Sequence, residues 1–264
     1  MVIATAMKSS VEISVVFPAY NEARSLESAV DKLNQALNEF TRSYEIIIAE
    51  DGSTDGTDKL AAALAEKHPF VKHIHRKKRL GRGTALKNAF KQSRGDFLVY
   101  MDLDLAADLK HLKTLVSAVE SEGYDLATGS RMLHESKVKR SGTRNIASKT
   151  YNFLVRTVLG SKVRDHQCGF KAFRREQLMQ LLDEIGANHW FWDTEVLVRA
   201  YRRGYKIKEI PVSWTGGQET KVNLLKDSLN MGRQIFSLWW HLKVSQFNRL
   251  FSFAENDESS GNKG

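Results

Sequence analysis

Five short apolar runs, VEISVVF (11–17), YEIIIAE (44–50), VKHIH (71–75), DFLVYM (96–101) and YDLATGS (124–130), alternate with stretches whose apolar residues recur at helical spacing. The intervening stretches, about 25–40, 56–67, 83–92 and 108–121, read as helices. A chain that repeats strand and helix at this interval has few options. It calls for an α/β fold: a Rossmann-like, mostly parallel central sheet with helices on both faces. In open sheets of that kind ligands bind beyond the carboxyl ends of the strands, so those ends are where chemistry is expected.

The fourth strand end is the most pointed. FLVYMDLDLAAD (97–108) sets Asp102 and Asp104 where the strand should stop. Alternate side chains on a strand share a face, which would hold the two carboxylates side by side at roughly 6–7 Å. Such a pair repels itself or holds a cation. Asp-x-Asp arises about once by chance in a chain of ordinary composition, and its place at a strand end is what gives it meaning. Asp108 begins the next helix and reads as its N-cap.

The other strand ends agree. FPAYNE places Tyr20 and Glu22 after the first strand, and EDGSTDGT places Glu50, Asp51 and two glycines after the second. That turn lets backbone approach a ligand while Asp51 accepts hydrogen bonds from a base or ribose; the alternative is an ordinary Asx-type turn capping the second helix. RKKRLGRGTALKNA carries five cations, Arg76, Lys77, Lys78, Arg79 and Arg82, ahead of the third helix. A phosphate at that helix's N-terminus would suit it. It is no dinucleotide fingerprint, because Leu86 stands where the third glycine belongs. Cys168, the single cysteine, reads as a small core residue, and His73 and His75, with no third metal ligand in view, read as structural. Asp193 and Glu195 open a helix, where acids suit the dipole.

A net charge of +9 and a pI near 9.5 admit nucleic acid, phosphorylated metabolites or acidic lipid as partners. Acids clustered at strand ends suit a nucleic-acid surface poorly, and no aromatic RNA-binding motif is present. A non-catalytic basic module is therefore the weaker reading. A nucleotidyltransferase would want a glycine-rich basic signature beside the first strand, which FPAYNE lacks.

In order and spacing, FPAYNE, EDGSTDGT, the GRG turn, DLDLA and GSR (129–131) resemble the inverting family 2 glycosyltransferases of GT-A fold, over almost all of 11–214. RDHQCGFKAF, HWFWDTE and GYKIKEIPVSW are similar to the polyprenyl-phosphate hexosyltransferases, above all the dolichyl-phosphate glucosyltransferases and archaeal enzymes that start an N-glycan on a lipid phosphate. The resemblance implies transfer of a hexose from a nucleotide diphosphate sugar to a polyprenyl or dolichyl phosphate. Glucose from UDP-glucose is the expectation, with GDP-mannose and UDP-N-acetylglucosamine the alternatives. It further implies that Pro18, Tyr20, Glu22, Asp51, Arg82 and Asp102 bind the nucleotide sugar, and that Asp102 and Asp104 hold Mg²⁺ or Mn²⁺. Arg131, Arg144 and Lys221 would meet the acceptor phosphate, and Asp104 and Asp165 would serve catalysis. Asp165 either orients that phosphate or a cation near it, or forms a salt bridge to Arg164 or Lys171.

Two positions depart from the family: Glu50-Asp51 replaces the usual Asp-Asp, and Ala106 stands where mannosyl-transferring relatives often carry Gln. A phosphomonoester acceptor carries about −1.5 to −2 charges and needs positioning more than a strong base. Guanidinium groups, which grip phosphate as a fork, suit that task.

Residues 1–217 are expected to form the catalytic domain, 218–253 amphipathic helices at the membrane, and 254–264 a disordered tail. No signal-type segment is read before Val11, and no apolar run approaches the ~18 residues that span a bilayer. Basic residues flank Trp239 and Trp240 as in interfacial helices. The chain is expected to sit as a peripheral protein on the cytoplasmic face of the cell membrane, its oligomeric state open.

Overall fold

The computed structural model describes residues 11–216 and 232–244. Strands β1 (Ile13–Ala19), β2 (Tyr44–Glu50), β3 (Val71–Ile74), β4 (Phe97–Met101) and β5 (Leu126–Ser130) alternate with helices α1 (Leu26–Asn38), α2 (Thr57–Lys67), α3 (Arg82–Gln92) and α4 (Leu112–Glu120). Further on lie β6 (Lys137–Lys139), α5 (Gly142–Leu159), β7 (Phe170–Arg174), α6 (Arg175–Leu182), α7 (Trp192–Arg202), β8 (Ile207–Pro211) and β9 (Ser213–Thr215). The last described helix, α8, covers 232–244.

Period-two alternation builds the two layers. Ile13, Val15 and Phe17 of β1 pack with Ile46 and Ile48 under Leu26, Val30 and Leu33 of α1 and Leu115 and Val119 of α4. Val16, Ile47, Leu98 and Tyr100 point the other way, against Leu86 and Phe90 of α3, Leu178 of α6 and Trp192 of α7. The sheet order is β3-β2-β1-β4-β7-β5-β8. All pairings are parallel except those of β7, which is antiparallel to both β4 and β5.

β7 is a strand that the apolar pattern does not announce. Its five residues, FKAFR, carry two cations, yet Lys171 is fully buried, as are Phe170 and Phe173. Lys171 donates to Asp193 at 2.6 Å and to the Cys168 carbonyl at 2.5 Å. Asp193 also accepts the Tyr100 hydroxyl, so one carboxylate of α7 joins β4 to β7. The acids opening α7 therefore do more than suit its dipole: Glu195 accepts from the backbone N–H of Gly186 and Ala187 and pairs with Arg199.

Other expectations shift in detail. The helix expected from Asp108 starts as a short 3₁₀ turn, Leu109–His111, with Asp108 as the N-cap accepting from Lys110 N. The GYKIKEIPVSW segment divides at Val212: β8 closes the main sheet, while β9 pairs with β6 in a separate two-stranded sheet. Of the amphipathic stretch only 232–244 is described; there Ile235 and Leu238 bury against Tyr151, Val155 and Leu159 of α5 and Phe191 and Val198. The remainder of 218–253 and the tail 254–264 lie outside the described residues.

Replacing Lys171 by Met strands the Asp193 carboxylate in the core. Loss of one partner of a buried ion pair costs about 3–5 kcal/mol. Equilibrium urea unfolding of Lys171→Met should show a loss of that size.

Candidate functional site: a cleft at the strand ends

One cleft opens where β1, β2 and β4 end, and its walls hold Pro18, Tyr20, Glu22, Asp51, Arg82, Asp102, Asp104 and Arg131 together. Arg79, Gln167, His189 and Trp190 complete it. Of the other residues singled out from the sequence, Asp165 lies behind Arg131, and Arg144 sits half-buried in the first turn of α5 without lining the cleft. Lys221 lies outside the described residues.

The two acids after β4 are not on a strand. β4 stops at Met101, and Asp102 to Asp104 form a turn in which Leu105 takes a left-handed φ of 48°. Leu105 N donates to Asp102 O at 3.1 Å, and Asp102 N to Gly169 O at 3.1 Å. The side-by-side strand geometry gives way because β7 begins at Phe170, opposite Met101, so the antiparallel ladder runs out here and the chain turns. Asp104 is exposed and accepts from Ala106 N at 3.0 Å. Asp102 lies deeper and pairs with Arg82. Burial pushes the Asp102 carboxyl up to about 6 against the pull of Arg82, and the Asp104 charge adds to the rise. A Cβ on Gly169 would fall on the Asp102 carboxylate, so only glycine fits there. Two carboxylates at an open mouth offer the oxygen-only donors that hard divalent cations accept, with room for phosphate and water.

Burial works against charge on Arg82, yet Asp102, Tyr100 and Asp193 together hold its guanidinium above its ordinary value. Trp190 covers the same guanidinium at 4.4 Å, and Arg79 stacks over Tyr20 at 3.6 Å. The α3 N-terminus does not present free amides to a phosphate, as the basic turn had suggested. Gly83 N and Thr84 N both donate to the Asn188 carbonyl, because the 187–189 segment packs directly on the start of the helix. The positive charge reaches the cleft through side chains instead.

Asp51 is 3% exposed, and its two oxygens accept from Leu80 N at 2.9 Å and Gly81 N at 2.7 Å. It ties the end of β2 to the basic turn, while the Asx-type bond at the α2 start belongs to Asp55, which accepts from Thr57 N. Gly81, at φ 103°, lies against Asn188 and His189 with no space for a side chain.

Arg131 and Asp165 form a forked pair: Nε donates at 2.7 Å, Nη2 at 2.8 Å, and Arg131 N adds a bond of 2.9 Å. The expected partners Arg164 and Lys171 are not the ones used. Arg164 lies in the exposed loop with its N–H on Glu209, and Lys171 is taken by Asp193. Burial alone would raise the Asp165 carboxyl, but Arg131's charge and hydrogen bonds hold it well below the usual carboxylate range. Burial pushes the neighbouring Cys168 thiol up to about 12, as suits a core residue.

Sequence reasoning did not single out Arg79, Gln167 or Tyr100, and named Lys171 only as a partner for Asp165. Arg79 was one cation among five, and the buried pair Tyr100 and Lys171 carries no signal short of strand pairing.

Residues 14–182 match the model of glycosyl transferase family 2, and the chain belongs to that family of glycosyltransferases. It is 49% identical over 243 residues to glycosyltransferase AglD of Haloferax volcanii, covering 91% of this chain and 39% of that one. It is 33% identical over 239 residues to the dolichyl-phosphate beta-glucosyltransferase of Dictyostelium discoideum, covering 86% and 73%. The fold matches glucosyl-3-phosphoglycerate synthase from Mycobacterium tuberculosis, solved with Mn²⁺, UDP and glucosyl-3-phosphoglycerate, at TM-score 0.64 and 23% identity over 86% of this chain and 78% of that one. The chain thus spans well under half of the Haloferax relative and has the GT-A fold.

Asp165→Asn leaves Arg131 charged and 9% exposed without its counter-charge. Its folded pKa being depressed, the Asp165 contribution is fully present above the unfolded value of about 3.9 and fades only as pH falls toward the folded one. Chemical unfolding at pH 7 should therefore show Asp165→Asn about 3–5 kcal/mol less stable than the wild type, with the gap closing only in strong acid.

Proposed function

We propose that the chain transfers glucose, with inversion, from UDP-glucose to a dolichyl or polyprenyl phosphate at the cytoplasmic membrane face, within the lipid-linked stage of protein N-glycosylation. The observation that carries this reading is a single cleft with an all-oxygen acid pair on one wall and a pinned guanidinium on another: Asp102 and Asp104 after β4, Arg131 after β5. The relatives named for dolichyl-phosphate glucosylation agree with it.

Asp102 and Asp104 would hold Mg²⁺ or Mn²⁺, which as a Lewis acid neutralises the charge that develops on a leaving diphosphate. Arg79 and Arg82 supply fixed cations on the donor side. Pro18, Tyr20, Glu22 and Asp51 form the wall for base and ribose. Arg131 meets the acceptor phosphate and offsets its repulsion from the donor. The phosphate oxygen is itself the nucleophile, so no strong base is needed. Asp165, buried and forked onto Arg131, is a positioning residue that sets where the acceptor lies. Arg144 and Lys221 are assigned to the acceptor's approach.

Membranes expressing the chain should transfer label from radiolabelled UDP-glucose into an organic-extractable lipid phosphate. Asp104→Asn should abolish that transfer with an unchanged circular dichroism spectrum, and EDTA should block the wild type. Label entering only from GDP-mannose or UDP-N-acetylglucosamine would overturn the sugar assignment, and full activity in EDTA the cation.

A membrane contact is proposed at the outer faces of α5 and α8. No helix among the described residues is long and apolar enough to cross a bilayer. Phe153 is 58%, Phe236 61% and Trp240 56% exposed, and Lys149 and Arg156 on α5 are exposed beside them. Each cation near anionic lipid contributes about 1 kcal/mol. Deleting 232–244 would also strip Ile235 and Leu238 from the domain's third cluster, so substitutions make the cleaner test. Phe236→Glu with Trp240→Glu should reduce flotation with anionic liposomes, and high salt should weaken binding of the intact chain. Undiminished flotation would place the contact elsewhere.

A further inference from the structure

Away from the cleft acids, at the edge of the sheet, one group of side chains has the chemistry of a second cation site. His73 and His75 share a face of the β3 segment, and β3 runs parallel to β2 with Ile48 opposite His73 and Ala49 opposite Ile74. The same register carries Glu50, the last residue of β2, beside His75: its carboxylate lies 2.5 Å from His75 Nδ1. The third ligand that the sequence did not reveal is therefore supplied by the neighbouring strand. One donor atom from each of Glu50, His73 and His75 falls within 4.8 Å of the other two.

We propose that Glu50, His73 and His75 form a binding site for a zinc-class divalent cation. Tetrahedral zinc, with bonds of about 2.0–2.2 Å, keeps its ligands about 3.3 Å apart, a spacing that modest side-chain rotation reaches. Two imidazoles and one carboxylate with an open fourth position is a recurrent zinc donor set. It discriminates against Mg²⁺, which asks for oxygen throughout, and follows the imidazole preference of zinc, nickel and copper. The acid pair of the cleft makes the opposite choice.

Further observations support the site. His73 Nε2 is buried without a hydrogen-bond partner, so the Glu50–His75 contact alone leaves that ring unsatisfied. Glu50 is fully buried, and its other oxygen accepts from Ser53 N at 2.5 Å, the kind of outer hydrogen bond that orients a metal ligand. His75 keeps 44% of its side-chain surface open, enough for an ion and a water to enter.

Glu50 adjoins Asp51, so an ion there would brace the strand end that holds the basic turn. Isothermal titration of tag-free full chain with ZnCl₂ tests the site, with Co²⁺ absorption as the optical readout. Expected are one zinc per chain dependent on these residues and the visible bands of a tetrahedral Co²⁺ site. His75→Ala and His73→Gln should each weaken zinc binding about tenfold or more, with circular dichroism reporting that each variant folds. Should either unfold, Glu50→Gln, which keeps shape and hydrogen bonding, takes its place. The double variant Asp102→Asn, Asp104→Asn should bind zinc as the wild type does. Wild-type zinc affinity in the folded histidine or Glu50 variants, or loss confined to the aspartate pair, overturns the proposal.

Discussion

A lysine amine with no access to water sits in the middle of the sheet, and much of the molecule is arranged around it. Lys171 needs a counter-charge, which Asp193 of α7 provides, and Asp193 in turn takes the Tyr100 hydroxyl. The ion pair thus joins the reversed strand β7 to β4 and fastens α7 across both. β7 must be present for β4 to end where it does, since Gly169 O receives the Asp102 amide and leaves no room for a larger residue at that point. A buried pair of this kind adds little net stability compared with well-packed apolar residues, but removing one member is costly.

The cleft inherits its charge pattern from this frame. Its acids and arginines meet in pairs: Arg82 with Asp102, Arg131 with Asp165. Burial would drive each toward neutrality, and each is held charged by the other to a degree set by geometry. Asp165, enclosed and accepting three hydrogen bonds from Arg131 and a fourth from Gln167 N, stays well below the carboxylate range, whereas Asp102, where burial and a second acid outweigh Arg82, is pushed up to about 6. Two aspartates of the same intrinsic acidity thereby acquire different characters within one site.

Much of this was legible in the sequence, and the parts that were not share a cause. β1, β2 and β4 carry continuous apolar runs, so their order and the position of their carboxyl ends could be read directly, and with them Tyr20, Glu22, Asp51, Asp102 and Asp104. What escaped depends on partners distant along the chain. β7 hides because a buried lysine looks like a surface one until Asp193 is placed beside it. The partner of Asp165 could not be chosen among nearby cations, because the true one lies 34 residues away. His73 and His75 lacked a third ligand only until β2 and β3 were laid side by side. The α3 amides looked available because nothing in the basic turn foretells the Asn188 carbonyl resting on them. Local periodicity reports which residues are buried, and only pairing reports with whom.

The fork between Arg131 and Asp165 also limits what Arg131 is able to sense. With Nε and Nη2 engaged and little of its side chain open, this guanidinium is aimed and cannot search. A ligand must bring an anionic group to it at one place and one angle, and whatever that group is attached to goes unread at this contact. In the proposed role at the acceptor phosphate, this contact would register a headgroup and be blind to its tail. Acceptors differing in the length or saturation of the chain beyond the phosphate would look alike to it, and any preference among them would have to be written on another surface.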